Sequence, residues 1–355
     1  MNKLDNREAV AKLDSENMLK LIEGLPEQCK EAHAIGKAAG ISKIEGKISN
    51  IVFAGLGGSA IGADIVRVYL QNELALPVVV SRNYTLPDFA GGETLLFCAS
   101  YSGNTEETLS SFEDGLKRGA RIITMGSGGR LKELSGKNGF KHIVIPKGFP
   151  PRTAVGYMSI AVLAILAKLG LIKDKEAEVN AVSRALVELR DREIGIDVAL
   201  DKNISKQLAS KLVGKHCVIY GTSDTTEAVS VRWRGQIAEN SKALSSSHVL
   251  PEMNHNEIVG WEFPKELLKN SNVIILRDRS DHARTKKRVE ISKDIIKKSG
   301  AEIFEFERKD PSLLARLFSL IYIGDFTSFY LAILNGIDPT PVKNVDYLKS
   351  ELTKS

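Results

Sequence analysis

The chain has 355 residues, 43% of them hydrophobic and 26% charged, and a formal net charge of +5. That length is enough for two domains with their own cores, and the charge is too small and too evenly spread for a nucleic-acid footprint; even Arg284-Thr-Lys-Lys-Arg288 sits beside Asp281 and Glu290 as a solvated helix face. Three cysteines without paired spacing and a polar start at Met1-Asn-Lys-Leu-Asp5 point to a reducing cytoplasm without a signal peptide, and no apolar run approaches the roughly 20 residues of a membrane helix.

In chain order, residues 1–48 read as a helical lead-in with apolar positions Leu13, Met18, Leu19, Ile22 and Leu25. Ile51-Val-Phe-Ala-Gly55 is a strand that enters a glycine-rich turn and a helix to about Leu70. Pro77–Ser81 is a short strand, and Thr94–Ala99 is another, followed by a helix to about Lys117. Arg121–Met125 and His142–Pro146 complete the set. Short continuous apolar runs alternating with helices imply a parallel sheet covered on both faces. Helices bridge residues 156–212, the longest unbroken apolar run being 159–167. The pattern then restarts with strands at His216–Gly221, Asn272–Leu276 and Ile303–Phe306, a helix over 226–241 and an apolar helix over 313–335. Ile51-Val-Phe-Ala-Gly-Leu-Gly-Gly-Ser59 and Val218-Ile-Tyr-Gly-Thr-Ser223 share the order strand, Gly, Ser, so the chain reads as two copies of one α/β unit. The expected divisions are a lead-in at 1–48, a first domain at 49–155, the bridge at 156–212, a second domain at 213–335 and a C-terminal helix at 336–355.

The most informative stretch is Ser100-Tyr-Ser-Gly-Asn-Thr-Glu-Glu-Thr108. A buried strand runs straight into hydroxyls at a helix start, where free backbone N–H groups and the helix dipole favour an anion. A plain N-cap needs one such side chain; here Ser100, Ser102 and Thr105 are joined by Asn104 and Thr108. The turn Gly55-Leu-Gly-Gly-Ser-Ala60 meets a dinucleotide fingerprint only loosely: no acidic residue ends the next strand, and no Gly-Lys-Ser/Thr follows for a P-loop. Gly58 and Ser59 fit better as a second wall of one small-anion pocket.

Further along, two prolines fix the approach to Arg152, whose guanidinium suits either an anionic intermediate or an interdomain ion pair. Glu239 lies on a helix with Arg232, Gln236 and Lys242, and Lys242 at i+3 offers it a structural partner. The segment from His248 to Trp261 holds two His, two Asn and two Glu in a loop, a composition suited to acid–base work. It lacks the His and Cys spacings of a metal site.

These blocks together resemble a known family. Ser100–Thr108 looks like the phosphosugar-binding signature of sugar isomerase (SIS) domains. Gly57–Ala60, Pro150–Arg152, Gln236–Lys242 and Pro251–Glu257 together are similar to the bifunctional phosphoglucose/phosphomannose isomerases. The resemblance runs from about residue 50 to 350 and implies two tandem SIS-type domains, each a mainly parallel sheet flanked by helices. It implies that Gly58, Ser59, Ser100, Ser102 and Thr105 bind a sugar phosphate, that Arg152 stabilises an enediolate, and that Glu239 moves the proton between C2 and C1. It implies that His255 assists ring opening from the partner subunit of a homodimer, with Lys349 (Lys343 being the other candidate) beside it and Thr340 as the threonine tied to dual specificity. No cofactor and no metal is implied. The rival reading is a phosphosugar sensor, which would need the 100–108 run but neither Glu239 nor His255; another is a different SIS isomerase, such as one for aminosugar phosphates. A glutamine-dependent synthase would need a nucleophilic cysteine at the mature N-terminus, and Cys29 is not there.

Overall fold

The computed structural model describes residues 3–44, 46–352 and 354. It opens with helices α1 (Arg7–Ala11), α2 (Met18–Glu23) and α3 (Leu25–Ala38). Next come β1 (Asn50–Ala54), α4 (Gly57–Leu70), β2 (Val78–Ser81), β3 (Thr94–Ala99), α5 (Glu106–Lys117), β4 (Arg121–Gly126), α6 (Gly129–Lys137) and β5 (Lys141–Val144). The bridge consists of α7 (Val155–Lys168), α8 (Glu176–Leu189), a π-helical turn at Arg190–Ile194 and α9 (Ile204–Leu212). The second half contains β6 (His216–Thr222), α10 (Glu227–Ser241), β7 (Ser245–Leu250), α11 (Lys265–Lys269), β8 (Ser271–Arg277), α12 (Ala283–Lys297), β9 (Glu302–Glu307), α13 (Leu313–Leu334) and α14 (Lys343–Leu352).

Two sheets result, ordered β2-β1-β3-β4-β5 and β7-β6-β8-β9, and every pair in both is parallel. This is the expected α/β architecture of two tandem sheets. Full burial of every residue in β3 explains why that strand reads as an unbroken apolar run rather than an alternating one.

The two sheets share a hydrophobic core. One cluster of buried side chains takes in Phe53 and Phe97 of the first sheet, Tyr157 and Ile160 of α7, Trp233 of α10, Ile274 of the second sheet and Phe326 of α13. Leu4, Val10, Met18, Ile22, Leu25 and Cys29 of the lead-in belong to the same cluster, so helices α1 to α3 are part of the packed body.

Helix α13 corrects an expectation. Its 22 residues are long and apolar enough to cross a membrane by length and composition, yet 94% of its most apolar window is buried inside the protein. A helix that is apolar all round belongs either to lipid or to a protein interior. Here Asp325, in mid-helix, accepts from Arg232 of α10 at 2.7 Å, and both side chains are buried.

Strand β7 is not among the expected elements. Ser245-Ser-Ser-His-Val-Leu250 has no apolar run, and its second half falls in the segment that reads as a polar loop. It pairs with β6 from Cys217↔Ser245 to Thr222↔Leu250 as the edge of its sheet. An edge strand is held by its backbone ladder and tolerates polar, half-exposed side chains, so hydropathy carries little signal there.

Candidate active site

The order β2-β1-β3 means that the chain leaves β1 to opposite sides, which opens a crevice beyond the carboxyl ends of β1 and β3. The register Ala54↔Cys98 sets the turn that begins at Gly55 beside the hydroxyl run that begins at Ser100. In that run the Ser100 Oγ accepts the Gly103 N–H at 3.1 Å and hydrogen-bonds the Thr105 hydroxyl at 2.8 Å, while the Ser102 Oγ accepts the Asn104 N–H at 3.2 Å. Gly103 has φ +74°, and a Cβ there would lie 1.9 Å from the Gly128 carbonyl oxygen, so this tight loop requires glycine. Thr105 occupies the cap position of α5 but makes no capping bond; its hydroxyl faces Ser100 instead. The ordinary N-cap reading of this run therefore does not hold: the Thr105 side chain does not cap the first turn of α5. Ser100 is buried, Thr105 half-buried and Ser102 exposed, and the buried Thr108 Oγ1 has no partner among the described residues.

The second wall is the N-terminus of α4. Leu56 at its cap position supplies no side-chain cap, and the helix opens with Gly57, Gly58 and the buried Ser59. A Cβ on Gly58 would lie 2.4 Å from the Pro151 carbonyl oxygen, so the helix start and the turn carrying Arg152 touch backbone to backbone. Gly58→Ala is expected to force these two elements apart, at a cost of about 1–3 kcal/mol, with a lower Tm. Unchanged thermal unfolding would show that the close approach has no consequence.

Arg152 lies in a short helical turn at Pro151–Thr153 and is almost fully buried, with 4% of its side chain exposed against 40% for Glu239. Its Nε donates to the Asn240 Oδ1 at 2.7 Å, and its Nη2 donates to the carbonyls of Pro339 and Thr340 at 2.9 and 2.8 Å. Three of its five N–H donors are thereby committed to a fixed frame. Its Nη1 faces the Glu239 carboxylate at 3.5 Å. Burial pulls the Arg152 pKa down, and Glu239 pushes it back up. Arg152 joins the two halves of the molecule, as the interdomain reading allowed, and presents a free edge to the carboxylate as well.

Behind this pair lies a buried polar frame. Arg232 donates to the Arg152 carbonyl at 3.1 Å and to Asp325, Gln236 donates to Asp325 at 2.9 Å, and Asn240 donates to the Ser328 hydroxyl at 3.0 Å. Burial pushes the Asp325 carboxyl up, while Arg232 and Gln236 pull it down. Sequence reasoning missed Asp325 as part of the site. The available signal was a lone acid inside a long apolar helix, which must find a partner.

Between α4 and α10 opens a cavity of ≈ 220 Å³ walled by Gly57, Gly58, Arg82, Arg152, Arg234 and Glu239, among others. Arg82 is held by Asp64 of α4; neither it nor Arg234 is among the site residues expected from the sequence. The wall is rich in guanidinium groups and so favours an anionic guest. Ser100, Ser102 and Thr105 are not in this wall; they lie in the adjoining crevice at the end of β3. Thr340 lends its carbonyl to Arg152, and its buried Oγ1 has no partner among the described residues.

The remaining two predicted residues are not brought to this cavity within one chain. His255 is exposed at the end of a short helical turn after β7, and Lys349 is exposed on the last turn of α14. The start of α14 does come back to the site: Lys343 and Val345 share a groove of ≈ 500 Å³ with Glu239 and Asp338.

A family model described as bacterial phospho-glucose isomerase C-terminal SIS domain matches residues 201–352. Over 337 residues the chain is 44% identical to a bifunctional phosphoglucose/phosphomannose isomerase of Caldicellulosiruptor bescii, covering 95% of this chain and 99% of that relative. A protein of the same name from Aquifex aeolicus is 39% identical, covering 86% of this chain and 90% of its own length. Among solved structures, a hypothetical protein from Thermus thermophilus superposes with a TM-score of 0.75 at 15% identity, covering 98% of this chain and 93% of that one, a likeness of fold.

Proposed function

The chain belongs to the bifunctional phosphoglucose/phosphomannose isomerase family, and from that membership we propose how its own residues carry the reaction. The activity is aldose–ketose isomerisation, interconverting glucose 6-phosphate and mannose 6-phosphate with fructose 6-phosphate.

Ser100, Ser102 and Thr105 anchor the phosphate at the first turn of α5, with Gly58 and Ser59 as the second wall. Once the ring is open, Glu239 removes the C2 proton and the electron pair forms a C1=C2 bond as charge moves onto O1. Returning that proton to C1, with the hydroxyl proton passing from O2 to O1, leaves the C2 carbonyl. Removing the C2 proton erases the stereochemistry that separates glucose from mannose, so one base serves both sugars. The Arg152 Nη1 edge offsets the enediolate charge, and the Thr340 hydroxyl bears on which aldose is favoured. The observation that carries this reading is the Arg152–Glu239 pair at 3.5 Å on the wall of one cavity. A preorganised cation beside an accessible carboxylate suits proton transfer through an anionic intermediate.

Ring opening falls to His255, with Lys349 beside it, in a homodimer where a partner subunit supplies the histidine. The exposure of both residues in the single chain supports that arrangement. We divide the chain as a lead-in at 1–48, SIS domains at 49–155 and 213–335, the bridge between them and the returning C-terminal helix. We place the protein in the cytoplasm, in keeping with three free, buried cysteines.

The test is a coupled assay with glucose 6-phosphate and mannose 6-phosphate, with and without a chelator. Both aldoses are expected to turn over at a rate that chelation leaves unchanged. Loss of activity with chelator would sink the metal-free route, and turnover of one aldose alone would sink the shared base.

A further inference from the structure

Lys242 follows the last turn of α10 and has no part in the chemistry described above. As a helix residue at i+3 it is expected to pair with the Glu239 carboxylate; no such pair is present among the described residues. Lys242 is the C-cap, in the left-handed conformation with φ 51°, and its N–H donates back to the Ile237 carbonyl. That backbone turn folds the side chain over the end of its own helix. Its ammonium donates to the Glu239 carbonyl at 2.8 Å, and across the gap to the carbonyls of Asp338 and Pro339 at 3.0 and 2.8 Å, with Asn240 O further off at 3.3 Å. Three N–H donors thus meet three carbonyls.

The Pro339 carbonyl also accepts from Arg152, and Thr340 accepts from the same guanidinium. Two cations from different elements therefore hold the short segment 338–340 against the turn that bears Glu239. We propose that Lys242 is a positioning residue for this isomerase: it locks the Glu239 turn of α10 to the 338–340 segment and so sets the spacing of Glu239, Arg152 and the Thr340 hydroxyl. This rests on the assignment of Glu239 as the base.

The clamp is charge-dependent. Burial, then the nearby Arg152 charge, bring the Lys242 pKa down to about 8, while Asp338 and Glu239 act in the opposite direction. Lys343 of α14 faces the same groove. Below that pH the charged ammonium grips the carbonyls; above it the neutral amine has fewer donors and weaker bonds. The spacing should therefore loosen as the pH rises through about 8.

The experiment compares Lys242→Met, Lys242→Arg and Glu239→Gln, with kcat and KM measured from pH 6 to 10 on both aldoses and folding checked by circular dichroism and thermal unfolding. Lys242→Met is expected to lower kcat at neutral pH by about 10²-fold, the scale of a misplaced catalytic group, with KM within a few-fold of wild type. Lys242→Arg, which keeps its charge throughout, is expected to recover most of kcat and to move the alkaline limb of the wild-type profile upward. A folded Lys242→Met with wild-type kcat and pH profile overturns the proposal while leaving the base assignment intact if Glu239→Gln is dead. Equal losses in both lysine variants with an unmoved pH limb also overturn it, by showing a merely structural role. Should Lys242→Met fail to fold, Lys242→Arg decides by the position of the limb. Full activity in Glu239→Gln removes the base assignment and this proposal together.

Discussion

Glu239→Gln is expected to abolish isomerisation of both aldoses, lowering kcat by roughly 10²–10⁴-fold, the usual contribution of a positioned general base, while sugar-phosphate binding stays close to wild type. The amide has nearly the same shape but cannot accept the C2 proton. The side chain is 40% exposed in the chain and its contact with Arg152 is a 3.5 Å approach without tight bonds, so the substitution leaves little buried structure to disturb. The proposed phosphate cradle at Ser100–Thr105 lies at the end of β3, whereas Glu239 is on α10 and makes no hydrogen bond to it among the described residues. Binding by calorimetry and turnover by coupled assay separate the two effects. Full turnover would remove Glu239 as the base. Mixing inactive Glu239→Gln and His255→Ala subunits tests the shared site in the same preparation. Half of randomly reassociated dimers are mixed and each has one intact site, so about a quarter of wild-type activity should return. No recovery after verified subunit exchange counts against donation of His255 across the dimer.

Arg152→Lys is expected to lower kcat by about 10²–10³-fold, the range seen when one preorganised charge-stabilising group is lost. The guanidinium reaches four partners at once: Asn240, the carbonyls of Pro339 and Thr340, and the Glu239 carboxylate. An ammonium is a single point with three donors and cannot hold that frame while facing Glu239. Part of the loss should appear as lower stability, since acceptors in a buried frame go unmet. The catalytic part is read from kcat at a temperature well below the melting transition of the variant. A variant with wild-type kcat for both sugars would leave Arg152 with an interdomain structural role only.

Much of this molecule is legible from the chain because its sheets are parallel and buried. Strands such as Thr94–Ala99 must be continuously apolar, and the turns at their carboxyl ends must carry glycine and hydroxyls if an anion is to sit there. Those constraints are local, and they mark β1, β3, β4, β6, β8 and the hydroxyl run at Ser100–Thr108. Strand β7 stays hidden because an edge strand draws its stability from backbone pairing that hydropathy does not register. Helix α13 is legible as an apolar helix of nearly its observed length, but its buried Asp325–Arg232 pair emerges only once α10 is laid against it.

The sequence by itself determined the fold class, the hydroxyl-rich turn at Ser100–Thr108 that follows β3 and, through resemblance, the family. Each depends on residue type at short spacing, which the chain displays directly. Only the tertiary structure decided that Arg152 keeps one edge free for Glu239, that Arg82 and Arg234 wall the same cavity, and that Lys242 grips carbonyls instead of the carboxylate. These facts join side chains many tens of residues apart, and packing of α4, α10 and α13 around one core selects which of many possible partners meet. The opposite outcome at His255 and Lys349 has the same cause: the fold of one chain leaves both on the surface, away from the cavity they were expected to serve.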